Sequence, residues 1–102
     1  MTALNQYQRL EATGLWRPDP QAQRREVVVS MGDATLTITD LQDRVLAHWS
    51  LAAVARGART DDRVTYHPDG DPGETLELDT DATEMIAAIE KVHGMASHRR
   101  IQ

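Results

Sequence analysis

The sequence predicts a mainly β (α+β) domain: a seven-stranded antiparallel sheet, curved or forming a partly open barrel, capped by one C-terminal amphipathic helix. Three observations support this fold class. Short segments up to residue 79 alternate apolar and polar residues with a period of two, as strands with one buried face do. Clusters of Gly, Pro and Asp separate these segments, as in turns. After Asp81 the apolar period becomes that of a helix.

The first predicted strand is the least regular one. Leu10, Ala12 and Trp16 can lie on one strand, and Gly14 between them marks a bulge or a close approach of another backbone. The following stretch, residues 18–23, contains two prolines and reads as a long loop.

The clearest signal is a hairpin around Gly32-Asp33. Alternating β-branched residues flank this dipeptide, and a two-residue loop with Gly first is typical of a type II′ turn. An acidic turn, residues 40–43, leads to the next strand, in which Val45, Ala47, Trp49 and Leu51 alternate with more polar residues. Trp49 is expected to point inward, because it offers the core a large apolar area.

The second half predicts a bend, a hairpin and the helix. The bend falls at Ala52-Ala53, and the hairpin turn lies at residues 68–73, before a strand with Leu76 and Leu78 inward. The predicted strands span residues 9–17, 24–31, 34–39, 44–51, 54–59, 63–67 and 74–79, and the helix spans residues 82–98.

The helix carries its own start and stop signals. Asp81 as N-cap and Glu84 three residues later have the form of a capping box. The basic residues near its end suit the negative end of the helix dipole. The apolar stripe that would pack on the sheet consists of Met85, Ile86, Ile89, Val92 and Ala96, and the basic end consists of His98, Arg99 and Arg100.

Composition narrows the classes of function. The 102 residues suit a single domain, residues 1–102, and the absence of cysteine excludes disulfides and thiolate metal sites. A net charge of −5 argues against general binding to nucleic acid. No apolar run approaches the roughly 20 residues that span a bilayer, and the first residues do not resemble a secretory signal.

The order of seven strands followed by an amphipathic helix resembles the pleckstrin-homology-like superfold. Such folds often bind peptides by strand addition at an exposed sheet edge. The strand at residues 44–51 or the one at residues 54–59 could offer that edge. The resemblance therefore implies a module that binds a protein partner, and homodimerisation through a sheet edge is a further alternative.

A second resemblance covers about residues 7 to 95. The segments at residues 7–18, 24–30, 46–51, 74–78 and 85–90 are similar to the N-terminal accessory domain of bacterial membrane-bound HExxH zinc metallopeptidases. This chain has neither an HExxH motif nor an apolar span, so no protease activity is carried over. The resemblance implies a cytoplasmic domain that positions a covalently linked membrane peptidase domain, tethered at the inner face of the membrane if the chain is part of a longer one.

The alternative ligand is an anionic lipid headgroup. Pleckstrin-homology domains that bind phosphoinositides use basic residues around the first strand–strand loop, which here would hold Arg17, Arg24 and Arg25. Arginine suits phosphate well. Asp19 in the same loop and the net negative charge favour the simpler interpretation of a solvated surface.

A metal site or an enzyme has the weakest support. His67 and three carboxylates fall within residues 67–74, but the prolines and glycines there already explain a hairpin turn. His93 and His98 are five residues apart and would lie on different helix faces. His48 should face solvent if Trp49 faces inward. We find no nucleophile motif or acid–base pair, so we expect a non-catalytic domain without a cofactor.

Overall fold

Seven strands form one antiparallel sheet and a helix follows, as predicted. The structure, a computed structural model, describes the backbone of residues 10–32 and 34–101 and the side chains up to Val92. Each observed strand boundary lies within one residue of its prediction. A 3-10 turn, Leu51–Ala53, forms the predicted bend. The elements are β1 (Leu10–Arg17), β2 (Arg25–Met31), β3 (Thr35–Thr39), β4 (Val45–Ser50), β5 (Val54–Arg59), β6 (Arg63–Pro68), β7 (Thr75–Asp79) and α1 (Thr83–Ile101).

The strand order makes the sheet curl. The strands lie in the order β4-β3-β2-β1-β7-β6-β5, so β1 pairs with both β2 and β7. β4 and β5 are the two edges of the sheet, although only the three residues of the 3-10 turn separate them in the chain. The sheet is therefore a half-barrel whose edges meet at one end. The element order behind the pleckstrin-homology-like resemblance is confirmed.

The core lies between the concave side of the sheet and α1. Every strand buries at least one apolar residue there, and the predicted inward positions of Trp49, Leu76 and Leu78 are confirmed. From α1, Met85, Ile86 and Ile89 complete the core. The other buried apolar residues are Trp16, Val27, Val29, Leu36, Ile38, Leu51, Val54, Val64 and Tyr66. In the described part of the chain no helix is long and apolar enough to cross a membrane.

Gly14 lies where another backbone approaches closely, which confirms one of its two predicted roles. It pairs with Val27 on one side and with Leu78 on the other. A Cβ at this position would lie 2.7 Å from the backbone oxygen of Glu77. The junction between β1 and β7 therefore depends on a residue without a side chain.

The predicted type II′ turn at Gly32-Asp33 is wrong in position. The N–H of Gly32 donates to the carbonyl of Thr35 at 2.9 Å, and Met31 pairs with Leu36, so Gly32 still belongs to the ladder. Gly32 also lacks the positive φ that the first turn position requires, whereas Gly70 has a φ of 87°. The observed register sets Met31 opposite the buried Leu36 instead of Ala34. Asp33 lies outside the described residues.

The predicted capping box is also wrong. The N–H of Ala82 donates to the carbonyl of Asp79 at 3.0 Å, and the carbonyl of Ala82 accepts the N–H of Ile86. Ala82 therefore holds the N-cap position, and the tight turn leaves Asp81 one residue too early to cap. The helix runs to Ile101, beyond the predicted residue 98. The predicted roles of Ala96 and of the basic end (His98, Arg99 and Arg100) concern side chains outside the described ones.

Candidate functional site

β4 has backbone groups that pair with no strand of the described residues. The N–H of Leu51 donates to the carbonyl of Ala34 at 2.9 Å, where the β3–β4 ladder begins. Hydrogen-bonded and non-bonded pairs alternate along an antiparallel ladder. The backbone groups of His48 and Ser50 therefore face away from β3. Because β4 is the outermost of the described strands, these groups lie at the edge of the described sheet.

Two large apolar side chains lie beside these groups. Leu41 is 64 % exposed and Val45 is 54 % exposed. The alternation predicted Val45 on the same buried face as Trp49, which is wrong because the register shifts between Ile38 and Thr39. This bulge reverses the side-chain alternation and turns Val45 outward. We define the β4 edge as Val45–Ser50 together with Leu41.

The predicted acidic turn holds this apolar pair in place. The buried carboxylate of Asp40 accepts the N–H of Gln42 at 2.8 Å and the N–H of Arg44 at 3.0 Å. The hydrogen bond from the backbone of Arg44 is the main cause that lowers the pKa of Asp40, against the opposing effect of burial. Asp43 completes the turn with a φ of 67°. Leu41 is therefore carried on an ordered turn.

The inner side of β4 is anchored through a shared carboxylate. The indole N–H groups of Trp16 and Trp49 both donate to Oε2 of Glu74, at 3.0 and 2.9 Å. Trp16 lies in β1, Trp49 lies in β4, and Glu74 immediately precedes β7. Because both indoles are buried, water cannot easily replace Glu74 as the acceptor of their hydrogen bonds. This cluster fixes β4 relative to the centre of the sheet.

The opposite edge, β5, is less open to another strand. Its register shifts between Arg56 and Arg59, so the strand is bulged in its middle. Both arginines add charge, and bulges and charged side chains are common protections of edge strands. The guanidinium of Arg56 also pairs with Glu90 of α1 at 3.1 Å. The two strands predicted as edges, β4 and β5, both lie at edges of the described sheet. Of the two, only β4 has no Asp, Glu, Lys or Arg side chain.

α1 is tied to the sheet by Glu90. The hydroxyl of the buried Tyr66 donates to Oε2 of Glu90 at 2.9 Å, and Nη1 of Arg56 donates to both carboxylate oxygens at 3.1 Å. Burial raises the pKa of Tyr66, and the bond to Glu90 adds to this. Burial would raise the pKa of Glu90 too, but the hydrogen bonds from Tyr66 and Arg56 together hold it below its usual value.

The lowered pKa of Glu90 predicts an acid-sensitive contribution to stability. A carboxylate whose pKa is lower in the folded than in the unfolded state stabilises the fold above the unfolded pKa. This contribution disappears as the pH falls through the folded pKa, so here the loss begins near pH 4.5 and continues below it. We expect Glu90→Gln to lower the free energy of unfolding at neutral pH. The difference from the wild type should shrink in acid.

Urea unfolding of both proteins between neutral and acidic pH measures this difference. The other carboxylates are common to both proteins, so subtraction of the two curves isolates the contribution of Glu90. A difference that stays constant down to the lowest pH would show that the ionised form of Glu90 does not stabilise the fold.

The three arginines predicted to bind an anionic headgroup meet different surroundings. Arg24 pairs with Glu77 at 3.2 Å, and Arg63 reaches the same carboxylate. Arg25 lies 3.8 Å from Asp40. In Arg17 the Nε atom is buried and has no hydrogen-bond partner among the described residues. The structure thus directs Arg24 and Arg25 to two separate carboxylates.

An open groove of about 710 Å³ lies next to Arg24. Five carboxylates and two arginines line it, so its charge favours cations over phosphate groups. The ionisable residues of its lining are Arg24, Asp61, Asp62, Arg63, Glu77, Asp79 and Asp81.

The histidines that the sequence singled out have ordinary surroundings. Nδ1 of His67 lies 2.8 Å from the carbonyl oxygen of Pro68, at the start of the hairpin turn. His48 is exposed, as predicted, and its Nδ1 lies 3.3 Å from Oγ1 of Thr37. Among the described residues no three His, Asp or Glu side chains are grouped so that they could hold a metal ion. The side chains of His93 and His98 lie outside the described part.

Comparison with known proteins adds no family assignment. No protein-family model matches the chain, and no curated protein matches it either. The similarity to the accessory domain of membrane metallopeptidases therefore stays a prediction.

Sequence reasoning identified both edges but missed the features that distinguish them. It did not predict the exposure of Leu41 and Val45 or the role of Glu74. One available signal was Leu41 itself, since a large apolar residue within a turn of polar residues has no core to enter. For Glu74 the sequence offers no signal, because its partners are 58 and 25 residues away.

Proposed function

We propose that this domain is a non-catalytic protein-interaction module that takes up an extended protein segment by strand addition along the β4 edge. The observation that carries the proposal is the backbone of His48 and Ser50, which pairs with no other described strand and lies at an uncharged edge strand. In strand addition, backbone hydrogen bonds provide affinity and alternate side chains provide specificity.

The surroundings of β4 define the segment that fits. Apart from His48, no residue of Val45–Ser50 is acidic or basic. An uncharged segment that binds there therefore leaves no charged side chain without a counter-charge. Leu41 and Val45 offer apolar contact at one end of the strand. A segment with alternating apolar residues therefore matches this edge better than a highly charged one.

Two further predictions concern the setting of the domain. Positioning of a covalently linked membrane peptidase is compatible with strand addition at β4, because a tethered domain can also dock a partner. Binding of an anionic headgroup by Arg17, Arg24 and Arg25 is a separate proposal with less support, because Arg24 and Arg25 already pair with carboxylates.

The variant His48→Pro tests strand addition. Proline removes the outward N–H of residue 48 while leaving the hydrogen bonds to β3, as edge strands tolerate. A phage-displayed library of random peptides selected on the wild-type protein supplies the probes. We expect the selected peptides to bind His48→Pro at least about tenfold more weakly, a loss of about 1.4 kcal/mol, because one backbone bond is lost and the ring obstructs the edge.

The matched control is His48→Ala, which removes the imidazole but keeps the backbone N–H. It should bind the selected peptides as the wild type does. Circular dichroism confirms that both variants are folded. Peptides that bind all three proteins equally, or a selection that yields none, would contradict strand addition at β4.

A further inference from the structure

Building on the proposed strand addition, we propose that the segment taken up by the β4 edge is β4 of a second copy of this chain. The two strands would run antiparallel about a two-fold axis at His48, and the two half-barrel sheets would form one continuous sheet. Such an interface uses the same surface on both subunits, so the β4 edge must be complementary to itself.

The charges at the edge fit this occupant. Each chain has a net charge of −5, so two copies repel each other over most of their surfaces. β4 brings no carboxylate to the contact, and its only ionisable side chain is His48. At β5, by contrast, a second copy would bring Arg56 and Arg59 close to the same two arginines. Among the two edges, β4 is therefore the one at which two copies can meet without like charges.

The backbone pattern fits as well. The outward groups of residue 48 allow a hydrogen-bonded pair with His48 of the partner subunit. This register sets Leu46 opposite Ser50 of the partner subunit. No acidic or basic side chain then faces one of its own sign, apart from the two imidazoles at the axis.

The apolar side chains at the two ends of β4 are complementary in size. The large exposed side chains, Leu41 and Val45, lie at its start. The small exposed residues Ala52 and Ala53 follow its end, in the 3-10 turn. An antiparallel two-fold arrangement brings Leu41 and Val45 of each subunit towards the two alanines that follow β4 in the other subunit. The two-fold axis makes this contact occur twice. Contact between them removes Leu41 and Val45 from water, the large apolar side chains that are exposed in the described part of the monomer.

A charge-pair experiment tests the axis at His48. Size-exclusion chromatography with light scattering, from micromolar to near-millimolar protein, should show the wild type and His48→Ala passing from monomer to dimer. His48→Lys and His48→Glu place like charges opposite each other and should each stay monomeric. An equimolar mixture of these two should dimerise at least about tenfold more tightly than either alone, because opposite charges then face each other.

The outcomes separate this inference from the proposed function. Restored dimerisation in the mixture supports both. A wild type that stays monomeric, while selected peptides still require the N–H of residue 48, overturns the dimer and leaves strand addition intact. A dimer that ignores the charge at residue 48 also overturns the inference. If the chain stays monomeric and no peptide depends on β4, both proposals fail.

Discussion

Glu74→Ala is expected to lower the free energy of unfolding by roughly 2–4 kcal/mol, because it leaves two buried indole N–H groups without an acceptor. Each unsatisfied buried donor costs about 1–3 kcal/mol, and partial entry of water reduces the sum. The loss should also loosen β4, since Trp49 would lose its bond to the residue before β7. Urea unfolding followed by fluorescence measures both effects, since Trp16 and Trp49 are the only tryptophans of the chain.

The matched control is Glu74→Gln, whose side-chain oxygen can still accept both indole bonds. We expect it to lose less than half of the stability lost by Glu74→Ala. Equal losses in the two variants would mean that the carboxylate acts by its charge or its packing rather than as a hydrogen-bond acceptor. No loss in either would show that the shared acceptor does not hold the half-barrel together.

Gly14→Ala should destabilise the domain by about 1–3 kcal/mol, the usual cost of inserting atoms into a filled space. The added Cβ would meet the backbone oxygen of Glu77 at 2.7 Å, and a backbone atom cannot move aside as a side chain can. β1 and β7 would have to separate at the junction that joins the two halves of the sheet. Thermal and urea unfolding measure the loss.

Gly57→Ala is the control, because it makes the same glycine-to-alanine substitution at a strand position with more space. The nearest atoms to its added Cβ lie 3.6 Å away, which is ordinary contact. We expect no loss, or a gain of about 0.4–1 kcal/mol from the reduced freedom of the unfolded chain. If the two variants lost equal stability, the tight approach at Gly14 would not be the cause.

Much of the fold follows from local patterns. Alternation located β2, β3, β4 and β7, because each has one face against the core, and the change of period located the helix. Gly14 was read as a bulge or a close approach, because a glycine inside a strand often marks one of the two, and the close approach is confirmed. These inferences succeed because the packing of one face against the core produces both the pattern in the sequence and the position of the element in the fold.

The errors fall where the backbone pairing and hydrogen bonds, rather than the local residue types, decide. The turn after β2 follows the pairing of Met31 with Leu36 rather than the local preference of Gly32. The start of α1 follows the tight turn from Asp79 to Ala82 rather than the capping signal of Asp81. Val45 faces outward because a bulge, invisible in the alternation, reverses the side chains of β4. Because the exposure of Val45 depends on that bulge, the sequence indicated the edge strand but not the exposed apolar pair beside it.

Hydrogen exchange along β4 tests the role of this edge most directly. At the lowest protein concentration we expect the amides of Ala47 and Trp49 to be protected by β3, and those of His48 and Ser50 to exchange almost freely. Raising the protein concentration, or adding a selected peptide, should protect His48 and Ser50 and leave the other two amides unchanged. If all four amides are protected alike at the lowest concentration, or if His48 and Ser50 never gain protection, β4 is not the edge through which this domain binds.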